Sequence, residues 1–98
     1  MKHTINMGIQ VIPLTYTGDK YAIIDKAIEV IQVSGLNYKV CPFETVIEGH
    51  SDELLALVPK IEQACHLHGA QEIIINIRMH LHSSQDLFIK DKIDKYEI

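Results

Sequence analysis

Basic residues are scarce in this sequence. Nine Lys and Arg stand against 13 Asp and Glu, a formal net charge of −4. Nucleic-acid binders normally present a basic face, so that class is not expected. Cysteine is nearly absent: Cys41 and Cys65 are the only two, and they form no CxxC pair. Disulfide-stapled secreted scaffolds carry more, so reduced thiols and a cytoplasmic location are expected. Long apolar runs are missing too, and none approaches the roughly 20 residues that span a bilayer. The stretch MKHTINMGIQVIPL has no uninterrupted apolar core and no small-residue cleavage site, so no signal peptide is expected. There is no glycine-rich phosphate loop, no GxSxG and no HExxH. The aromatic sheet platform of RNA-recognition modules is absent as well.

What is present is one small domain's worth of chain. Its 98 residues are 47% hydrophobic and 22% charged, a globular balance. A chain this short buries ~60–70% of the surface it exposes when unfolded, enough for one core. A single domain over 1–98 is expected, with its core over about 4–82 and a tail over 83–98.

The first apolar stretch runs from about Thr4 to Leu14. Met7, Ile9 and Val11 alternate with Asn6, Gly8 and Gln10, the period of a strand. Pro13 is expected to end regular pairing. Asp19 is a candidate helix N-cap, followed at helical spacing by Ile24, Ala27, Ile28 and Ile31, with Gly35 past the end. This predicts a helix over about 19–34. Leu36 to Phe43 and Thr45 to Glu48 read as two strands close enough to pair as a hairpin. Ser51 is a second N-cap candidate, opening a helix whose stripe is Leu54, Leu57, Val58, Ile61, Ala64, Cys65 and Leu67. Pro59 removes a backbone donor inside it and predicts a kink. Glu72 to Leu81 is the strongest strand signal. Ile73, Ile75, Ile77, Met79 and Leu81 share one face, and Ile74, Asn76, Arg78, His80 and His82 the other. The charged tail carries Leu87, Phe88 and Ile93 at loose helical spacing, which predicts a short helix packed outside the main fold, or a partly frayed segment.

The order β-α-β-β-α-β predicts an α+β, ferredoxin-like sandwich. Its four-stranded antiparallel sheet carries two helices on one face, with a short C-terminal helix added. Asn6, Gly8 and Gln10 then share the open face with Asn76, Arg78 and His80. That face is too polar for a second core and too apolar, at Ile12 and Ile74, for plain surface. It calls for a second copy of the chain or a ligand.

The most distinctive segment is Gly35-Leu-Asn-Tyr-Lys-Val-Cys-Pro-Phe-Glu-Thr-Val-Ile-Glu-Gly49. Thr45 and Glu48 are three apart, so on a regular strand they face opposite ways. Glu48 reads either as a surface carboxylate beside a turn or as an acid facing a cationic ligand. Together with Gln10-Val-Ile-Pro13 and the Gly-Leu-x-Tyr strand, the Thr-x-x-Glu-Gly piece resembles the small thiamine-binding proteins of the YkoF-like family. The resemblance covers about residues 5–80. It implies binding without catalysis, no cofactor, and self-association to a dimer or homotetramer through the sheet. Thr45 and Glu48 match the family motif, with Glu48 balancing the permanently positive thiazolium of thiamine. Phe43 or Tyr38 would stack on a ring. Thr45, Asn6, Gln10 or Asn76, the last three taken from the strand-face argument, would satisfy the aminopyrimidine. Family members often carry acids on the last strand, where this chain has Asn76 and Arg78. An arginine beside a cationic ligand is unfavourable. Arg78 therefore pairs with a carboxylate across an interface, or serves an anionic group on the ligand.

Two further readings stay open. One is an oligomeric regulatory or scaffold domain without a small-molecule ligand. The other is a metal-binding protein using His80 and His82, which point the same way on a strand but have no evident third ligand. His66 and His68 are poorly disposed to chelate. Cys65 reads as core, and Cys41 would be a nucleophile only with a base beside it.

Overall fold

Residues 3–97 are described by the structure, a computed structural model. The chain forms β1 (Ile5–Tyr16), α1 (Lys20–Val33), β2 (Asn37–Val40), β3 (Thr45–Gly49), α2 (Ser51–Leu55), α3 (Leu57–Leu67), β4 (Ala70–His80) and α4 (Ile89–Ile93). A short 3-10 turn, Asp94–Tyr96, follows α4. The sheet is four-stranded and antiparallel, in the order β2-β3-β1-β4. This is the ferredoxin-like arrangement, with α1 and α3 on one face.

The alternation in β1 does what its period requires. Met7 and Ile9 point under the helices and are buried, and they meet Ile47 of β3 beneath Ile23, Ala27 and Ile31 of α1. Leu54 of α2 and Leu57, Ile61 and Cys65 of α3 complete this single core. Each fully buried Ile or Leu contributes about 1.5–3 kcal/mol relative to an exposed one. The Asp19 side chain accepts from the Tyr21 N–H at 2.9 Å and caps α1 as expected. Gly35 takes the left-handed conformation past its end, at φ +78°.

Several boundaries differ from expectation for local reasons. Regular register does lapse at Pro13, but pairing resumes through Thr15 and Tyr16 after two register shifts. Pro13 is tolerated because β3 pairs with β1 only as far as Ile9, so the missing N–H leaves no β3 acceptor unserved. The second helix begins after His50 rather than after Ser51. The His50 N–H donates to Glu53 Oε1 at 3.0 Å. This helix is divided at Ala56, giving α2 and α3. The cause is Pro59, which has no N–H for the Leu55 carbonyl and crowds it, so the break falls one turn before the proline. β2 is shorter than predicted and holds only Asn37–Val40. β1 and β4, distant in sequence, pair along most of their length.

The tail lies against the open face of the sheet rather than outside the fold. The Leu87 N–H donates to the Thr4 carbonyl at 2.8 Å. Ile89 is buried, and Lys39 on β2 pairs with Glu97. No helix among the described residues is long and apolar enough to cross a membrane.

Candidate functional site

Strand register places the open-face residues in rows across the sheet. Glu48, Asn6 and His80 form the first row, and Val46, Gly8 and Arg78 the second. Gln10 and Asn76 form the third, and Ile12 and Ile74 the fourth. α4 covers the first row. The Asn6 Nδ2 donates to the Leu87 carbonyl at 3.1 Å, which leaves Asn6 only 3% exposed. Its Oδ1 is buried and receives no donor among the described residues. Glu48 Oε1 accepts from the Ile89 N–H at 2.7 Å, and its Oε2 accepts from Asn37 Nδ2 at 3.0 Å. Lys92 of α4 reaches His80, with Nζ 2.7 Å from Nδ1.

Beyond the tail the face is open, and a trough crosses the Gly8 row. Asn6, Gly8, Glu44, Val46, Arg78, His80 and Lys92 line a space of about 290 Å³. A neighbouring space of about 460 Å³ shares Glu44 and Arg78 and adds Gln10, Cys41, Pro42 and Phe43. Both lie near the usual size of small-molecule sites, roughly 300–1,000 Å³. The centre of the trough depends on a missing side chain. Glu44, in the loop between β2 and β3, lays its carboxylate over Gly8. A Cβ at position 8 would stand 2.9 Å from Glu44 Oε2 and 3.0 Å from its Cδ. Glu44 is half-buried, yet no hydrogen bond or ion pair ties its carboxylate to any described residue. Such a group is a receptor for a cation or for N–H donors.

A second, more apolar cleft of about 190 Å³ opens on the helix side of the same loop. It lies between Ile24, Ile28 and Ile31 of α1 and the loop residues 41–44, with Thr45 and Gln10 at its polar points. The two sides meet here because β1 outruns β3 beyond Ile9.

The residues singled out from sequence are thus distributed over both faces. Gln10 and Asn76 lie on the open face and are joined, Asn76 Nδ2 donating to Gln10 Oε1 at 3.2 Å. Asn6 lines the trough. Phe43 stands at the loop tip, 83% exposed, beside the trough. Thr45 faces the helices and lines the apolar cleft, so it and Glu48 point to opposite sides of β3, as their spacing requires. Glu48 is occupied by α4 and Asn37. Tyr38 pairs with Ile47 and packs on the core. Glu44, one position before the motif threonine, carries no such signal in the sequence. The only local hint is the glycine at position 8, whose partner is 36 positions away.

The histidines are engaged otherwise. His82 Nδ1 accepts from the Ser84 and Gln85 N–H groups, both at 3.1 Å. His66 holds the Ala70 carbonyl at 2.9 Å and Glu62 at 3.2 Å, contacts that raise its affinity for a proton. Among the described residues no three His, Cys, Asp or Glu side chains gather as a metal site would. Both cysteines are free, and burial pushes the Cys65 thiol up.

Residues 7–97 match a family described as thiamine-binding protein. The chain belongs to that family. Among relatives, a UPF0045 family protein of Clostridium perfringens is 31% identical over 93 residues, 95% of this chain and 97% of that protein. A Bacillus cereus structure of the domain of unknown function DUF77 superposes with a TM-score of 0.92 at 41% identity, covering 99% of this chain and 93% of that one. A Thermotoga maritima protein, with a suggested role in thiamine biosynthesis or salvage, superposes with a TM-score of 0.86 at 26% identity. That match covers 96% of this chain and 99% of the other.

Proposed function

We propose that this protein binds thiamine, or a compound built on its aminopyrimidine or thiazolium ring, in the trough over Gly8, without catalysing a reaction on it. One observation carries the reading: a half-buried carboxylate, Glu44, lies over a bare glycine with no partner among the described residues. The thiazolium is permanently positive and the aminopyrimidine offers N–H donors. A partly desolvated carboxylate interacts with such groups several-fold more strongly than one in bulk water. Gln10 and Asn76 supply amide groups on one side, and the Phe43 ring stands where it can fold over a bound heterocycle. Membership of a thiamine-binding family supports this ligand over other cations. Thr45, on the helix side, serves a ligand that extends around the loop into the apolar cleft.

Self-association through the sheet belongs to the same reading. β4 is paired on one side only, and Ile74 and Ile77 on it are 42% and 40% exposed. An unprotected edge of this kind favours pairing with a second copy. A cytoplasmic location agrees with the two free thiols.

The test is calorimetric titration of the dialysed protein with thiamine, comparing wild type with Glu44→Gln. Saturable binding that weakens in the variant, while its circular dichroism stays native, is the expected result. Binding unchanged by Glu44→Gln would refute the placement, and no binding of any thiamine-related compound would refute the function.

A further inference from the structure

We propose that the trough carries an anion subsite, formed by Arg78 and Lys92, that selects a phosphate ester of its cationic ligand. The inference rests on the binding reading above and sharpens its ligand. Arg78 stands across from Gly8 in the strand register and lines both parts of the trough. Its guanidinium makes no ion pair or hydrogen bond with any described residue. Lys92 enters the same space from α4, with its Nζ 2.7 Å from the His80 Nδ1. An imidazole carries no negative charge, so this contact does not compensate the ammonium.

The nearby acids form no ion pair with either cation. Glu48 is turned to Asn37 and to the Ile89 N–H. Glu44 lies over Gly8, and no ion pair links it to Arg78 or Lys92. Two cations facing one concave space attract an anion. The guanidinium fork suits phosphate oxygens in pairs, and the ammonium adds a point charge.

The spacing separates the two charges of one small molecule. Neighbouring strands lie about 4.8 Å apart. The carboxylate over Gly8 and the guanidinium one strand away therefore address different ends of a single ligand. A positive ring at Glu44 and a phosphate at Arg78 and Lys92 satisfy both. This arrangement also explains an arginine in a site that otherwise receives a cation.

The experiment titrates the full chain by calorimetry with thiamine, thiamine monophosphate and inorganic phosphate. It compares wild type, Arg78→Ala and Lys92→Ala, with thermal melts to confirm that each variant is folded. The wild type is expected to bind the monophosphate at least tenfold more tightly than thiamine. That ratio should collapse to within threefold in Arg78→Ala and shrink in Lys92→Ala. Equal affinity for the two compounds in the wild type, or a preference that survives both substitutions, overturns the subsite alone. Failure of both compounds to bind overturns the binding reading and this subsite with it. Phosphate alone matching the ester would show a general anion site and also refute the ester selection.

Discussion

Gly8→Ala separates the trough from the fold that supports it. Gly8 does not lie in the left-handed region, so alanine can adopt its backbone conformation. A glycine inside a strand costs roughly 0.5–1 kcal/mol relative to alanine, and the substitution returns that amount. Against it stands the new methyl, whose carbon would sit 2.9–3.1 Å from the three carboxyl atoms of Glu44. Those atoms are the free end of a flexible side chain with no partner to hold them. They swing away, at a cost on the order of 0.5–1.5 kcal/mol if the new rotamer is strained. The two effects nearly cancel, so net stability changes by about 1 kcal/mol or less. For a domain of this size that is a shift in Tm of at most about 4–8 °C. Ligand binding responds differently, because the carboxylate no longer lies over the floor of the trough. Losing one hydrogen bond to a charged group costs about 1.5–3 kcal/mol, or roughly ten- to a hundredfold in Kd. Differential scanning calorimetry and titration with thiamine on one preparation measure both effects. Binding retained within about twofold while the melt is native would refute the role of Gly8 and Glu44 together. A fall in Tm well beyond about 10 °C would show that the floor is part of the packed core.

Two other predictions follow from the tail and the helix end. Glu48→Ala removes the acceptor for the Ile89 N–H and for Asn37 Nδ2. Hydrogen exchange at the Ile89 amide should speed up by at least tenfold while amides of β1 and β4 keep their protection; a uniform loss of protection would contradict a local role. His66 takes up a proton more readily than a free histidine because its Nδ1 faces the Ala70 carbonyl and its Nε2 faces Glu62. The folded-state value is raised above 6.5, so this stabilisation is fully present below that pH and is lost as pH rises through the folded value. His66→Gln should flatten the dependence of the urea midpoint on pH across that window, and an unchanged slope would rule the contact out as its source.

Much of the architecture was legible because it is written locally. Periodicity marked all four strands and both long helices, and Asp19 and Gly35 sit where α1 starts and stops. The break in the second helix was visible as Pro59, although it falls a turn earlier because the ring acts on the carbonyl four residues back. The site was less legible. Gln10, Asn76 and Asn6 were found from strand alternation alone, and the structure brings them to one face. Tyr38 was placed on the correct strand, but the register turns it toward Ile47 and the core.

The sequence by itself determined the order of elements, the face of each strand that meets the helices, and membership of a family described as thiamine-binding protein. These depend on neighbours a few residues apart. Only the tertiary structure decided which acid on the open face is left without a partner. Glu48 carries the motif, but the tail returns from the far end of the chain and places the Ile89 amide on it. Glu44 has no motif of its own, but β3 ends at Thr45 opposite Ile9, and the loop before it folds over the one position in β1 without a side chain. Arg78 and Lys92 meet there through strand register and tail docking, contacts that no local pattern encodes.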